Sequence, residues 1–164
     1  MPAVVIRSGG QTGVDRAALD FAVRRGLSYA GWCPRGGWAE DFPDPPGLLP
    51  AYPRLAETPS ADPVERTAWN VRDSHATLIL ARGEPSRSSG TALTRQLAEQ
   101  VFRRPCLVVD PGDLSAVDVA REWLDRTAAG LGVDELVLNV AGPRESEAPG
   151  ISADAGRFLE RLLG

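Results

Sequence analysis

Three stretches of the 164-residue chain concentrate residue types that could do chemistry. The first is Ser8-Gly9-Gly10-Gln11-Thr12-Gly13-Val14-Asp15. Its glycines let the backbone turn sharply and approach a ligand, and the N–H groups opening the following helix favour an anion. Against the dinucleotide pattern G-x-G-x-x-G, Ser8 stands at the first position. About 20 residues beyond the motif, where a ribose-binding acid would be expected, the chain reads Cys33-Pro34-Arg35. Ordinary dinucleotide binding is thus weakly supported. Asp15 would repel a phosphate set against it. It reads either as a first-turn residue complementing the helix dipole or as a carboxylate accepting N–H groups from a ligand ring.

The second stretch runs from Arg82 through Gly83, Glu84, Pro85, Ser86, Arg87, Ser88, Ser89 and Gly90 to Thr91. Hydroxyls, a glycine and a threonine at a helix start make a phosphate cradle, with fixed charge from Arg82 and Arg87. Helix capping by Ser88 or Ser89 with solvated arginines is the alternative, and the density of donors favours the anion site. The third stretch, Asn139 to Gly150, contains Gly142, Pro143, Arg144, Glu145 and Glu147. Asn139 can donate and accept at a heterocycle edge. Arg144 could pair with a phosphate or with Glu145 and Glu147, although glycine and proline alone can shape such a loop.

Other residues carry less. Trp69 and Trp123 fall at helical spacing and read as core. His75, the only histidine, reads as a capping or packing residue without a visible nucleophile partner. Cys33, in a loop beside Pro34 and Arg35, is the better candidate for a reactive thiol than Cys106 at the start of an apolar run. Glu40-Asp41 and Asp44 read as a solvated acidic edge, and no carboxylate pair can be placed together. All 18 basic residues are arginine, so lysine chemistry is excluded, and the cations suit anion binding rather than proton transfer.

The elements that must position these loops are legible from periodicity. Ala3–Arg7, Leu27–Gly31, Ala76–Ala81, Pro105–Asp110 and Glu135–Val140 read as strands, mostly continuous apolar runs expected of a sheet covered on both faces. Helical stripes follow: Val14, Ala18, Phe21 and Ala22; Leu93, Leu97 and Val101 over about Thr91 to Arg104; Val119, Ala120, Trp123 and Leu124 from about Ser115; and Ile151, Ala155, Phe158, Leu159 and Leu162. Asp62-Pro63-Val64-Glu65 resembles a capping box, starting a helix that runs to about Asp73. The alternation predicts a three-layer α/β/α Rossmann-like fold with a mainly parallel sheet of five or more strands. Pro34 to Pro63, crowded with proline and glycine, reads as a functional loop or a subunit contact. Residues 1–164 read as one domain.

Composition is that of an ordinary globular protein, 43% hydrophobic and 24% charged. A net charge of -4 argues against nucleic acid or an anionic membrane as partner. No run approaches the roughly 20 apolar residues of a membrane span. Without a signal-like N-terminus, the expected compartment is the cytoplasm. Two cysteines and one histidine are too few for a disulfide framework or a multi-histidine metal site.

Taken in order, Ser8 to Leu19, Trp69 to Ser74 followed by Ala76 to Ile79, Ser89-Gly90-Thr91 and Leu138 to Ser146 resemble the signatures of the molybdenum-cofactor carrier proteins. The resemblance spans nearly the whole chain. It implies a fold related to the lysine-decarboxylase-like and cytokinin-activating nucleotide hydrolases, commonly assembled as homo-oligomers, often tetramers. It also implies binding, protection and transfer of the molybdenum cofactor, a molybdopterin, with transient contact to molybdoenzymes. Under this reading Ser88, Ser89, Gly90 and Thr91 hold the phosphate, helped by Arg87 or Arg82. Gly9, Gly10, Gln11, Thr12 and Gly13 approach the ligand. Asp15, Asn139 or Glu145 satisfies pterin N–H groups, with Gly142 and Arg144 in the adjoining loop. The metal rides on the cofactor's own dithiolene. The hydrolase relatives carry a glutamate in a G-T-x-x-E motif, where this chain has Thr94. A non-enzymatic carrier is therefore the leading expectation. A nucleoside-monophosphate hydrolase or a sensor of a nucleotide-derived signal on the same fold are the alternatives.

Overall fold

The computed structural model describes residues 1–84 and 89–164, the Ser89 side chain excepted. Strand β1 (Ala3–Arg7) leads into helix α1 (Val14–Arg25), then to three short strands, β2 (Tyr29–Ala30), β3 (Trp32–Cys33) and β4 (Ala56–Glu57). Helix α2 (Pro63–Arg72), β5 (Ala76–Leu80) and α3 (Ser89–Gln96) follow, and α3 runs on as a π-helical turn over Leu97–Val101. The chain ends with β6 (Cys106–Val109), α4 (Ala116–Leu131), β7 (Glu135–Ala141) and α5 (Ile151–Leu163). The five-stranded sheet has the order β2-β1-β7-β5-β6, with every pair parallel. This is a three-layer α/β fold of the expected class.

Alternate strand residues point to opposite faces. Ile6, Leu78, Leu80, Leu136, Leu138 and Val140 join the buried faces of α1, α4 and α5 in the main core. The intervening positions, Thr77, Ile79 and Asn139 among them, face the layer of α2 and α3, and all three are buried. Five of the predicted stripe residues on α5 are fully or almost fully buried.

The boundaries differ where local signals mislead. The second strand shrinks to two residues, because the chain turns away at Gly31 to form β3. Strands β3 and β4 pair in parallel as a separate ribbon of two residues each, too short to carry any period. On α3 the buried residues are Thr91 and Thr94, followed by Ala98 in the π turn, while Leu93 and Leu97 are half-buried and Val101 is 58% exposed. The π turn widens the helical repeat and rotates Val101 out to solvent. On α4 Val119 is likewise exposed, and the inner stripe is Ala116, Val117, Ala120, Leu124 and Ala128.

Asp62 caps α2 by accepting the Val64 N–H at 3.0 Å. Glu65 accepts from Ser60 N instead of closing the box on Asp62. The segment after Cys33 folds back onto α1, where Ala39, Leu48 and Leu55 meet Leu19 in a second apolar cluster. Among the described residues no helix is long and apolar enough to cross a membrane.

Candidate ligand-binding cleft

The chain leaves β1 through α1 on one face of the sheet and leaves β5 through α3 on the other. Beyond the strand ends at that divergence lies a cleft of about 70 Å³, the address where open α/β sheets bind ligands. Gly9 and Gln11 line it from the first loop, Asp15 from the start of α1, Gly90, Thr91 and Thr94 from α3, and Asn139, Gly142 and Arg144 from β7 and its loop. Helix α2 supplies Arg66, Thr67 and Asn70.

The glycine loop is held from within. Ser8 Oγ donates to Asp15 O at 2.8 Å and accepts Gly10 N–H at 3.3 Å, so the serine at the first motif position ties the loop to the start of α1. Gly13 sits at φ +82°, and a Cβ there would strike the Pro143 carbonyl oxygen. A Cβ on Gly142 would strike the Leu80 carbonyl oxygen and lie 2.6 Å from Val14 Cγ2. The first and last loops therefore lock together through two positions that tolerate no side chain.

Arg66 is 8% exposed. Its Nη1 donates to Gly9 O at 2.9 Å and its Nε to Thr67 Oγ1 at 3.3 Å, leaving further donor capacity on the guanidinium. Across Gly9 lies Asp15, 9% exposed, whose Oδ2 accepts Gln11 N–H at 3.3 Å. Burial pushes the Asp15 carboxyl up to about 6, against the charges of Arg66 and Arg16 and the Gln11 hydrogen bond. No direct ion pair joins Asp15 to Arg66, so both face the cleft with part of their capacity unspent.

Gln11 is 4% exposed. Its Oε1 accepts two backbone N–H groups, Thr12 at 3.0 Å and Glu40 at 2.9 Å, while its enclosed Nε2 has no partner among the described residues. Glu40 in turn accepts the hydroxyls of Thr12 and, at 2.7 Å, Ser146, and lies 3.7 Å from Arg144 Nη1. Burial would raise the Glu40 carboxyl, but the two hydroxyls and Arg144 outweigh it and hold it below the usual range.

Several expected site residues have structural partners instead. Glu145 donates its N–H to Thr12 Oγ1 at 3.1 Å, and its Oε1 accepts Gly150 N–H at 2.6 Å where α5 begins. Gly10, Thr12, Gly13 and Glu145 do not line the cleft. Arg82 is committed to Asp154 and to Pro149 O, so its charge belongs to the α5 start. Arg87, Ser88 and the Ser89 side chain lie outside the described residues.

Cys33 corrects the reactive-thiol expectation: it is fully buried, and burial pushes its thiol up to about 11. His75 extends the β5–β7 ladder, its Nδ1 accepting Val137 N–H at 3.0 Å. Trp69 meets Trp32 edge-on at 4.8 Å and carries the Arg72 guanidinium over its ring at 4.7 Å. Among the described residues no three or more His, Cys, Asp or Glu side chains converge as a metal site.

Sequence reasoning missed Arg66. It lies four residues into α2, with only a helical stripe to announce it, and its burial arises because α2 packs across the glycine loop. Asn70, within a quoted motif, turns out to clamp β3, exchanging hydrogen bonds with Trp32 N and O at 2.8 and 2.9 Å.

A parallel sheet flanked by helices, with a polar, donor-rich cleft over its strand ends, defines a Rossmann-like α/β protein. A model of the circularly permutated YpsA SLOG family (cpYpsA) matches residues 6–163, and the chain belongs to this family. The crystal structure of a protein named "Putative molybdenum carrier protein" from Syntrophus aciditrophicus SB is 40% identical, covering 99% of this chain and 97% of that one at a TM-score of 0.83. A short-chain dehydrogenase from Streptomyces avermitilis aligns at 20% identity and a TM-score of 0.34, covering 100% and 79% of the two chains. No curated protein matches.

Proposed function

We propose that the protein binds the molybdenum cofactor in this cleft, protects it and passes it to apo-enzymes, without turning it over. The observation that carries the reading is the buried Arg66, which lines the cleft together with Gly90 and Thr91 at the start of α3. An always-charged group in a shielded cleft beside a helix N-terminus suits a terminal phosphate. The resemblance to the crystal structure named a molybdenum carrier supports a pterin phosphate as that ligand. A cleft of about 70 Å³ suits the phosphate end of such a ligand, and Asn139 and Arg144 in its lining would offer hydrogen-bonding groups to the remainder. On this proposal the chain works as a homo-oligomer and meets molybdoenzymes transiently.

The test is the decay of free molybdenum cofactor in air with and without stoichiometric protein. Marked slowing, competed away by excess pterin phosphate and lost in a folded Gly90→Arg variant, is the expected result. An unchanged decay rate refutes the carrier reading.

One observation favours a second reading. Asp15, with its carboxyl near 6, is poised to move a proton in the cleft, as a nucleotide hydrolase would require. Base release from nucleoside monophosphates, abolished by Asp15→Asn, would establish it.

A further inference from the structure

Gln11, which lines the cleft, carries an amide whose direction is set by the fold. A glutamine amide can usually flip, exchanging its donor and acceptor ends to suit a ligand. Gln11 cannot, because its Oε1 already accepts the Thr12 and Glu40 N–H groups at 3.0 and 2.9 Å. Flipping would set the NH2 group against two backbone donors. One of these comes from the same loop and the other from the long proline-rich segment, 29 residues further along the chain. That segment is itself pinned, since the Glu40 carboxylate accepts hydroxyls from Thr12 and Ser146. Among the described residues the Nε2 end is left enclosed and unpaired, in a residue 4% exposed that lines the cleft. A buried donor without a partner is costly, and native structures usually supply one.

We infer that Gln11 is a specificity-determining residue: its Nε2 demands an oxygen acceptor on the ligand, and the Glu40 backbone enforces that demand. The acceptor can be a phosphoryl oxygen or the ring carbonyl of an oxo-heterocycle. Ligands presenting a donor at that point are rejected, because two facing N–H groups would both go unpaired. Arg66 adds a second donor in the same cleft, so the acceptor is electron-rich. This inference rests on the proposed cleft and on a ligand of the phosphate or pterin class, but not on the carrier role.

The experiment follows the Gln11 side-chain amide by ¹H–¹⁵N NMR in the full chain, assigned by its absence in Gln11→Glu. The probes are inorganic phosphate, phosphate-free 6-hydroxymethylpterin and molybdopterin, with affinities from calorimetry. Gln11→Glu keeps an oxygen for the Thr12 and Glu40 N–H groups but replaces the donor with a second oxygen and, when ionised, adds a negative charge, so the affinity of the uncharged pterin reads the lost donor free of repulsion between anions. The expected result is a shift of the Nε2 protons on binding, with affinity at least about tenfold weaker in the variant. A shift with phosphate assigns a phosphoryl oxygen, and a shift with the pterin alone assigns the ring carbonyl. Binding of any probe with an unmoved amide and unchanged affinity in Gln11→Glu overturns the inference, as does failure of all three to bind. If molybdopterin binds with the amide unmoved, the carrier reading survives and this inference falls. If phosphate or the pterin shifts the amide while molybdopterin does not bind, the reverse holds.

Discussion

Asp15 and Arg66 meet across the α-carbon of Gly9: a Cβ built there would lie 2.9 Å from Asp15 Oδ2 and 3.1 Å from Arg66 Nη1. The bare glycine is what lets an acid on α1 and a base on α2 approach the same backbone without joining in an ion pair. The neighbours a Cβ would meet are ends of side chains, so Gly9→Ala should fold, at a cost of about 1 kcal/mol from local repacking. It should nevertheless weaken phosphate binding by displacing the guanidinium. Denaturant midpoints and phosphate titrations of the same variant check the two halves.

Asp15 sets a pH dependence with a definite sign. Its folded value of about 6 lies above its ordinary 3.8, so the folded state holds the proton more tightly and loses stability as pH rises between those values. A shift of about two pH units corresponds to about 3 kcal/mol. Asp15→Asn should therefore become progressively more stable than the parent from pH 4 to pH 6, with the gap constant above. Parallel unfolding curves across that range would show it, and a constant gap would contradict it.

Glu40 acts in the opposite sense. Its carboxyl is held below the usual range, so its contribution is present above the unfolded value and lost as pH falls through the folded one. The side chain is 24% exposed, which screens the Arg144 contact. Glu40→Ala should cost about 1 kcal/mol through the lost Thr12 and Ser146 hydrogen bonds. Hydrogen exchange should rise around the Glu40 amide and in the 142–146 loop while the sheet stays protected.

Gly13 and Gly142 should be the least replaceable positions of the site. Alanine at either meets backbone oxygen, Pro143 O or Leu80 O, and at Gly13 it must also adopt φ +82°. Each substitution should lower stability by about 2 kcal/mol or more. Thermal melts of both variants, set beside Gly130→Ala, where nothing lies within 4 Å of the added Cβ, make the comparison.

Cys33 should resist thiol reagents in the native protein at neutral pH, because a fully buried thiol pushed up to about 11 offers almost no thiolate. Cys33→Ser should leave phosphate binding unchanged. Fast native-state labelling of Cys33 would contradict the packing of β3 against β4.

Much of the architecture was written in local pattern. Five strands and five helices follow from apolar runs, glycine breaks and stripes such as Ile151-Ala155-Phe158-Leu159-Leu162, because burial repeats at the helical period wherever one face meets a sheet. The π turn after Gln96 escaped, since nothing in Leu97 to Val101 announces a wider repeat. Strands β3 and β4 escaped as well, because two residues carry no period.

The site was legible as loops and not as a cleft. Glycine placement and the order of the motifs announce where a ligand can approach, because those constraints are local to the backbone. Only the tertiary structure decided that Arg66 is buried against Gly9 O, that Arg82 turns to Asp154, that Glu145 closes the start of α5, and that Gln11 has one fixed orientation. The Arg66, Arg82 and Gln11 contacts each depend on a partner 29 to 72 residues away, and the Glu145 contact on how the last loop turns back. A side chain's type is set by its codon, but its burial and its remaining hydrogen-bonding capacity are set by what packs against it.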